Sequence, residues 1–187
     1  MKKFARIVGT GSYLPPRIIT NSELEKSLDT TDEWITSRTG IKERRIVEDQ
    51  NTCDLALEAS INALEMAELK ASEIDLIILA TTTPDKIFPA TATTLQDRIG
   101  ASCPAFDIQA VCAGFVFALT TAQQYIENGV ANNILVVGSE TMSKIVDWND
   151  RSTAVLFGDG AGAVVVSKDN TVGIKHAKLC SDGKYLS

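Results

Sequence analysis

The chain has 187 residues, of which 44% are hydrophobic and 22% charged, and it carries a formal net charge of −6. This composition is typical of one globular domain with a substantial core. The acidic balance argues against nucleic acid or an anionic membrane surface as a partner, because both require clustered Lys and Arg. The N-terminus reaches Arg6 and Gly9 before any long apolar run. We therefore expect neither a signal peptide nor a membrane span, and a cytoplasmic location.

The cysteines give no sign of a metal site or of a disulfide framework. There are four, Cys53, Cys103, Cys112 and Cys180, and the chain has one histidine. The cysteines are widely spaced and form no Cys-x-x-Cys motif, so neither zinc ligation nor a set of structural disulfides is indicated. We expect no bound metal and no cofactor.

Strand-like and helix-like patterns alternate along the chain. In order they predict a buried strand at 4–13, a helix at 22–28 capped by Asn21, a helix from Thr31 or Asp32 to Gly40, an exposed basic extended segment at 41–47, a helix at 54–69, a strand at 76–80, a helix at 91–99, a strand at 105–108, a helix after Cys112 and a strand at 134–138. Residues 76–80 are continuously apolar, as expected of a strand covered on both faces. The alternation predicts an α/β fold with a mostly parallel sheet and helices on both faces.

The stretch from Phe106 to Asn128 changes from a strand period to a helical period, and Cys112 lies at the turn. A thiol at a helix start meets unpaired N–H groups and the positive end of the helix dipole, which favour the thiolate. Ala113 and Gly114 leave room for a substrate carbonyl. Active sites of such sheets lie at the carboxyl ends of strands. From position alone, a nucleophile and a buried apolar filler both remain open.

The glycine-rich run from Phe157 to Val166 is not predicted to bind phosphate. A dinucleotide or Walker loop must open a helix, whereas this run leads into a β-branched strand. Its glycines instead indicate close approach of neighbouring backbones. After it, residues 172–179 have the pattern of another strand.

Several motifs together resemble the β-ketoacyl-acyl-carrier-protein synthase III family, the initiating condensing enzymes of fatty-acid synthesis within the thiolase-like superfamily. The matching stretches are Gly9–Pro15, Thr31–Ile35, Arg38–Ile41, Cys103–Asp107, Cys112–Phe115 and Phe157–Ala163. The resemblance implies the N-terminal half of a thiolase-like layered fold. It divides the chain into a domain at 1–170 and the start of a second domain at 171–187.

The resemblance also implies a two-step acyl transfer through Cys112. Its thiolate would attack the thioester of acetyl-coenzyme A or another short acyl-coenzyme A, with the Cys112 N–H as one donor to the oxyanion. Malonyl-acyl-carrier protein would then lose carbon dioxide and take the acyl group, giving a 3-oxoacyl product. Coenzyme A is thus a substrate carrier and not a resident cofactor.

Two groups of binding residues carry over by position. The coenzyme A group comprises Trp34 and Arg151 on either side of the adenine, Arg38 near the phosphates and Thr30 at the entrance. The acyl pocket comprises Phe88, Met142, Leu156 and Phe157. Phe88 matches a residue that crosses a homodimer interface to the partner's pocket.

The chain departs from the family at the decarboxylation step. The family's catalytic His and Asn come from the second half of a longer chain, and His176 does not match that His. We therefore expect an N-terminal half that is inactive in condensation by itself and that exposes an apolar sheet face prone to self-association. A non-catalytic acyl-coenzyme A binding half-subunit and a sister condensing enzyme with another acceptor remain alternatives.

Overall fold

A computed structural model describes residues 3–184 of the chain. The strands are β1 (Phe4–Tyr13), β2 (Arg17–Thr20), β3 (Glu43–Ile46), β4 (Leu76–Ala80), β5 (Ala105–Ile108), β6 (Asn133–Thr141) and β7 (Asp159–Asp169). The helices are α1 (Asn21–Leu24), α2 (Asp32–Thr39), α3 (Thr52–Ala67), α4 (Thr91–Ile99), α5 (Gly114–Glu127) and α6 (Arg151–Ala154). Single 3-10 turns lie at Ala71–Glu73, Val111–Ala113 and Met142–Lys144.

Five strands form one mixed sheet in the order β1-β7-β6-β4-β5, and β2 and β3 form a separate two-stranded ribbon. Strand β4 is parallel to both β5 and β6, while β7 is antiparallel to β6 and β1. Four of the five strands therefore run in one direction, which confirms the mostly parallel sheet. The reversed strand is β7, which directly follows β6 in the chain and pairs with it. Antiparallel neighbours can be joined at the same end of the sheet, so no crossover helix is needed between them.

Helices cover the two faces of the sheet, as predicted. Helices α3 and α4 pack on one face around Leu55, Leu79 and Leu95. Helix α5 packs on the other face around Ile78, Ile126 and Val136. Every residue of β4 is buried, which confirms the continuously apolar run as a central strand.

The glycines of the first strand explain its close contact with α3. A Cβ atom at Gly9 would collide with the backbone of Ala63, and one at Gly11 with the backbone of Ala59. Only glycine lets the strand and the helix approach so closely. The Gly9–Pro15 motif thus has a structural role in the fold.

Four local predictions were wrong. Strand β1 lies at a sheet edge and is only partly buried. The cap of α1 is Thr20, whose hydroxyl accepts from the Glu23 N–H, while Asn21 is the first helical residue and is buried. The segment at 41–47 is not uniformly exposed, because the Arg44 side chain is buried. Its guanidinium donates to the Ile19 carbonyl and to the Asn21 side-chain oxygen. The segment at 172–179 forms no strand, since the Ile174 N–H bond to the Ala5 carbonyl is not continued into a ladder.

The division of the chain at residue 170 stays a prediction, although β7 ends next to it. In residues 3–184 no helix combines the length and the apolarity that crossing a membrane requires.

Candidate active site

Cys112 lies where the sequence predicted, in the turn between β5 and α5. The turn spans Val111–Ala113, and α5 begins at Gly114. Val111 has a φ of 48°, a left-handed conformation that is unfavourable for a β-branched residue. Such strain persists only where the surrounding structure imposes it, and it is common beside functional groups. The Cys112 side chain is exposed, so it does not act as a buried apolar filler.

An open cavity of about 400 Å³ lies in front of Cys112. Its lining is largely apolar and includes Val111, Phe115, Met142 and Phe157. Gly138 of β6, Gly160 of β7 and Gly158 just before β7 complete the wall. The predicted close approach is confirmed at Gly158, where a Cβ atom would lie 2.9 Å from the Arg45 carbonyl oxygen, but not at Gly162, where it would meet no atom within 4 Å. The glycine-rich run leads into β7 and not into a helix, as predicted. An apolar cavity beside an accessible thiol can hold a short acyl chain.

One carboxylate supports the side of the cavity near the ends of β4 and β6. Glu140 accepts the backbone N–H groups of Thr82 and Thr83 at 2.7 and 3.1 Å, and it also accepts the Thr83 hydroxyl. Glu140 and Thr82 both line the cavity. Glu140 thereby fixes the loop after β4 to the end of β6.

The sequence analysis did not assign Glu140 or Thr82 to the site. A signal was present, because polar residues directly follow the buried runs of β4 and β6. The carboxyl ends of parallel strands meet at one edge of a sheet, so these residues had to lie together.

The four residues of the predicted acyl pocket do not all line this cavity. Met142 and Phe157 lie on its wall, whereas Leu156 is 45% exposed and outside it. Phe88 lies in the loop before α4 and is 81% exposed. Its predicted role requires a second subunit, so it stays a prediction.

A second cluster brings together three of the predicted coenzyme A residues. Trp34 and Arg38 lie one turn apart on α2, and Arg151 is the first residue of α6. The guanidinium carbon of Arg151 lies 4.7 Å from the centroid of the Trp34 ring, and that of Arg38 lies 5.0 Å from it. These distances are typical of cation–π contacts. We call Trp34, Arg38 and Arg151 the indole cluster.

Short polar contacts hold the elements of the indole cluster. The hydroxyl of Thr31 caps α2 by accepting the Trp34 N–H at 3.1 Å. The carboxylate of Asp150 caps α6, and Arg151 donates to the Asp29 carbonyl at 2.9 Å. Thr30 lies beside them, and its hydroxyl is buried with no hydrogen-bond partner among the described residues. A bound ligand is one way to satisfy such a group.

The electrostatics of the cluster are set by hydrogen bonds at the start of α2. The Asn21 amide donates to Asp32 at 2.7 Å and is the main reason why the pKa of Asp32 lies below its ordinary value. The Thr36 hydroxyl and Lys42 act in the same direction. Asp32 therefore remains ionised at the N-terminus of α2, where the helix dipole favours a negative charge.

The described part of the chain contains no group of three or more His, Cys, Asp or Glu side chains that could hold a metal ion. The exposed thiol, the apolar cavity and the indole cluster are the features that carry chemistry. Together they suit a nucleophile that takes an acyl group from a carrier with an aromatic, anionic head.

Comparisons with known proteins show which families and structures the chain is similar to. A family model described as 3-oxoacyl-[acyl-carrier-protein] synthase III matches residues 106–183. The β-ketoacyl-[acyl-carrier-protein] synthase III of Vesicomyosocius okutanii is 68% identical, over 100% of this chain and 60% of its own length. The protein of that name from Neisseria meningitidis serogroup A is 60% identical, over 98% of this chain and 58% of its own.

Solved structures show the same fold. The 3-oxoacyl-[acyl-carrier-protein] synthase III of Aquifex aeolicus VF5 superposes with a TM-score of 0.88 at 54% identity, covering 89% of this chain and 54% of that one. The priming β-ketosynthase of the R1128 polyketide pathway gives 0.89 at 41% identity, with coverages of 92% and 52%. The chain thus spans 58–60% of the curated relatives and about half of these structures. With an exposed cysteine in the turn before α5 of a thiolase-like sheet, the chain is similar in sequence and in fold to the 3-oxoacyl-acyl-carrier-protein synthase III family.

Proposed function

We propose that the protein is an acyltransferase that initiates fatty-acid synthesis, with Cys112 as its nucleophile. The observation that carries this proposal is the exposed Cys112 thiol at the start of α5, opening on an apolar cavity. The family supports it, since the relatives carry the name of a synthase that acts on an acyl-carrier protein. Because the chain spans only part of these relatives, the full activity remains our proposal.

The first step forms an acyl-enzyme. The Cys112 thiolate attacks the carbonyl carbon of acetyl-coenzyme A or another short acyl-coenzyme A, and the carbon–sulfur bond to coenzyme A breaks. The acyl group then lies in the cavity between Met142 and Phe157. The Cys112 N–H is available as one fixed donor to the oxyanion.

The second step forms a carbon–carbon bond. Malonyl-acyl-carrier protein loses carbon dioxide, and the resulting carbanion attacks the acyl carbon and releases the Cys112 thiolate. The product is a 3-oxoacyl-acyl-carrier protein. No residue of the described chain is assigned to the decarboxylation.

The indole cluster is proposed to bind coenzyme A. Its two guanidinium groups suit the phosphates and one face of the adenine, and the Trp34 indole suits the other face. Thr30, with its unpaired hydroxyl, lies at the same entrance. Coenzyme A is here a substrate carrier, and no resident cofactor is proposed.

We also propose a cytoplasmic homodimer. Strand β5 lies at an edge of the sheet, and the nearby loop exposes the large apolar side chains Ile87 and Phe88. Exposed edges and apolar side chains of this kind are typical of association surfaces. Phe88→Asp is expected to shift the protein toward monomer in sedimentation velocity, and an unchanged sedimentation coefficient would contradict this interface.

The experiment that tests the function measures transfer of the acetyl group from acetyl-coenzyme A to the protein, because no residue of the described chain is assigned to the decarboxylation and condensation is not expected from this chain by itself. The native protein is compared with Cys112→Ala and with Cys180→Ala, which removes another exposed thiol. We expect Cys112→Ala to abolish acetylation and Cys180→Ala to leave it unchanged. Acetylation of Cys112→Ala at the native rate would refute the proposal. Acyl-coenzyme A binding without any acetylation would instead favour a non-catalytic half-subunit, which no observation supports at present.

A further inference from the structure

Arg44 of β3 is a buried cation that has no counter-ion among the described residues. It is 5% exposed, and its guanidinium donates to the Ile19 carbonyl at 3.2 Å, the Asn21 side-chain oxygen at 2.8 Å and the Val155 carbonyl at 3.1 Å. Its Nε is buried without a partner in the described chain. Burial lowers the pKa of Arg44, as desolvation disfavours its charge. Burying a cation without a counter-ion costs free energy, which indicates that Arg44 has a specific role at this position.

Two of the three acceptors of Arg44, Val155 and Asn21, are linked to the helices that carry the indole cluster. Val155 directly follows α6, the helix that begins with Arg151. Asn21 donates to Asp32, the first residue of α2, and to the Ile41 carbonyl just beyond its end. Arg44 is therefore bonded directly to one element of the cluster and, through a single amide, to both ends of the other.

We propose that Arg44, acting through Asn21, is a positioning residue that fixes α2 and α6 relative to each other and so sets the geometry of the indole cluster. This rests on the proposed binding of coenzyme A there. Arg44 lies in the core beneath the cluster and is not itself assigned a contact with ligand.

The shape of the guanidinium explains why an arginine stands at this position. Its donors lie in a rigid planar fork, so one side chain can reach three acceptors, two at residues 19–21 and one at Val155. A lysine has one compact ammonium on a flexible stem and cannot hold the same three directions. An apolar residue would fill the space but would leave the Val155 carbonyl and the Asn21 oxygen unpaired.

The kinetic test separates positioning of the cluster from general stability. The variants are Arg44→Met, Arg44→Lys and the milder Asn21→Ala, with Arg45→Met as the matched control on the same strand. Acylation is measured with acetyl-coenzyme A and with acetyl-pantetheine, which lacks the nucleotide. We expect the first three variants to raise the KM for acetyl-coenzyme A about tenfold. Their acylation rate with acetyl-pantetheine should equal that of the native protein, and Arg45→Met should change neither quantity.

A second readout needs no ligand. The Arg151 Nε–H resonance should be shifted by the ring current of Trp34 in the native protein and should move toward its free position in Arg44→Met and Asn21→Ala. An unchanged resonance, or equal losses with both thioesters, would overturn the positioning role. If the native protein acylates with neither thioester, the proposed function fails, and the Arg151 resonance alone decides the role of Arg44.

Discussion

At the scale of single residues, the exposed Cys112 thiol directly follows the left-handed backbone of Val111. The sequence predicted the strand-to-helix turn from the change of hydrophobic period, and Cys112 is found there. It could not reveal the left-handed conformation, because Val rarely adopts it and no glycine marks it.

The contact between Trp34 and Arg151 was likewise invisible in local patterns, since the two residues are far apart in sequence. Only the family resemblance brought them together.

The indole cluster must open to admit an adenine. A ring stacked between Trp34 and Arg151 needs about 7 Å between them, two van der Waals spacings, whereas they are 4.7 Å apart. We therefore predict that coenzyme A displaces Arg151 from the indole and changes Trp34 emission. In a Trp148→Phe background, which leaves one indole, coenzyme A should change the fluorescence and pantetheine should not. Equal responses to both ligands would contradict the opening.

Glu140 is expected to matter for both stability and acylation. Glu140→Gln replaces one of the two acceptor oxygens by an NH₂ group that cannot accept, so either the Thr82 N–H or the Thr83 N–H and hydroxyl lose their acceptor. We predict a loss of roughly 1–3 kcal/mol in the free energy of unfolding and slower acylation of Cys112. Urea denaturation with Glu65→Gln as the exposed control measures the first effect. Equal stability of the two variants would show that the Glu140 bonds contribute nothing.

At the scale of elements, boundaries with strong local signals were predicted well. Strand β4 and helix α4 have the predicted limits, because one is a continuous apolar run and the other ends at Gly100. The burial of Arg44 was missed, since an alternation of charged and apolar residues normally indicates an exposed edge. Its acceptors lie on other segments, and no local pattern encodes them.

The close contact between β1 and α3 predicts a sharp difference between two glycines. Gly11→Ala places a methyl group against the Ala59 backbone, while Gly162→Ala on the neighbouring β7 meets no atom within 4 Å. We expect Gly11→Ala to lower the free energy of unfolding by roughly 1–3 kcal/mol or more. Gly162→Ala should cost clearly less. Thermal denaturation compares them, and equal melting temperatures would refute this account of the motif.

The end of β7 should contribute pH-dependent stability. The Thr171 N–H, its hydroxyl and the Val172 N–H hold the pKa of Asp169 far below its ordinary value. Because the pKa of Asp169 is lower in the folded protein than in the unfolded chain, the ionised carboxylate stabilises the fold fully at pH values above its pKa in the unfolded chain. This stabilisation is lost as the pH falls from there toward its pKa in the folded protein. Asp169→Asn should therefore be less stable than the native protein at neutral pH, with the difference shrinking below about pH 4. A stability difference between Asp169→Asn and the native protein that stays constant over this pH range would contradict the linkage.

At the scale of the whole molecule, the fold forms two separate sites. The ends of β5, β6 and β7 position Cys112 and its cavity, while the ribbon of β2 and β3 supports the indole cluster through Arg44. The alternating elements predicted the layered α/β arrangement and the mostly parallel sheet. They did not predict that β7 runs antiparallel to its neighbours. The direction of a strand depends on which strands it pairs with in the folded sheet, and the local hydrophobic pattern does not encode that pairing. Self-association through an apolar sheet face stays a prediction. A groove lined by Phe115 and Val164 is open in this structure.

The most direct test of the central claim is the site of acylation. The purified protein is incubated with acetyl-coenzyme A, its intact mass is measured and the modified peptide is mapped. We predict a mass increase of one acetyl group on Cys112, none on Cys180, which is also exposed but does not line the cavity at Cys112, and none in Cys112→Ser. A protein that binds acetyl-coenzyme A but never gains the acetyl group, or gains it equally on Cys180, would contradict the assignment of Cys112 as the nucleophile.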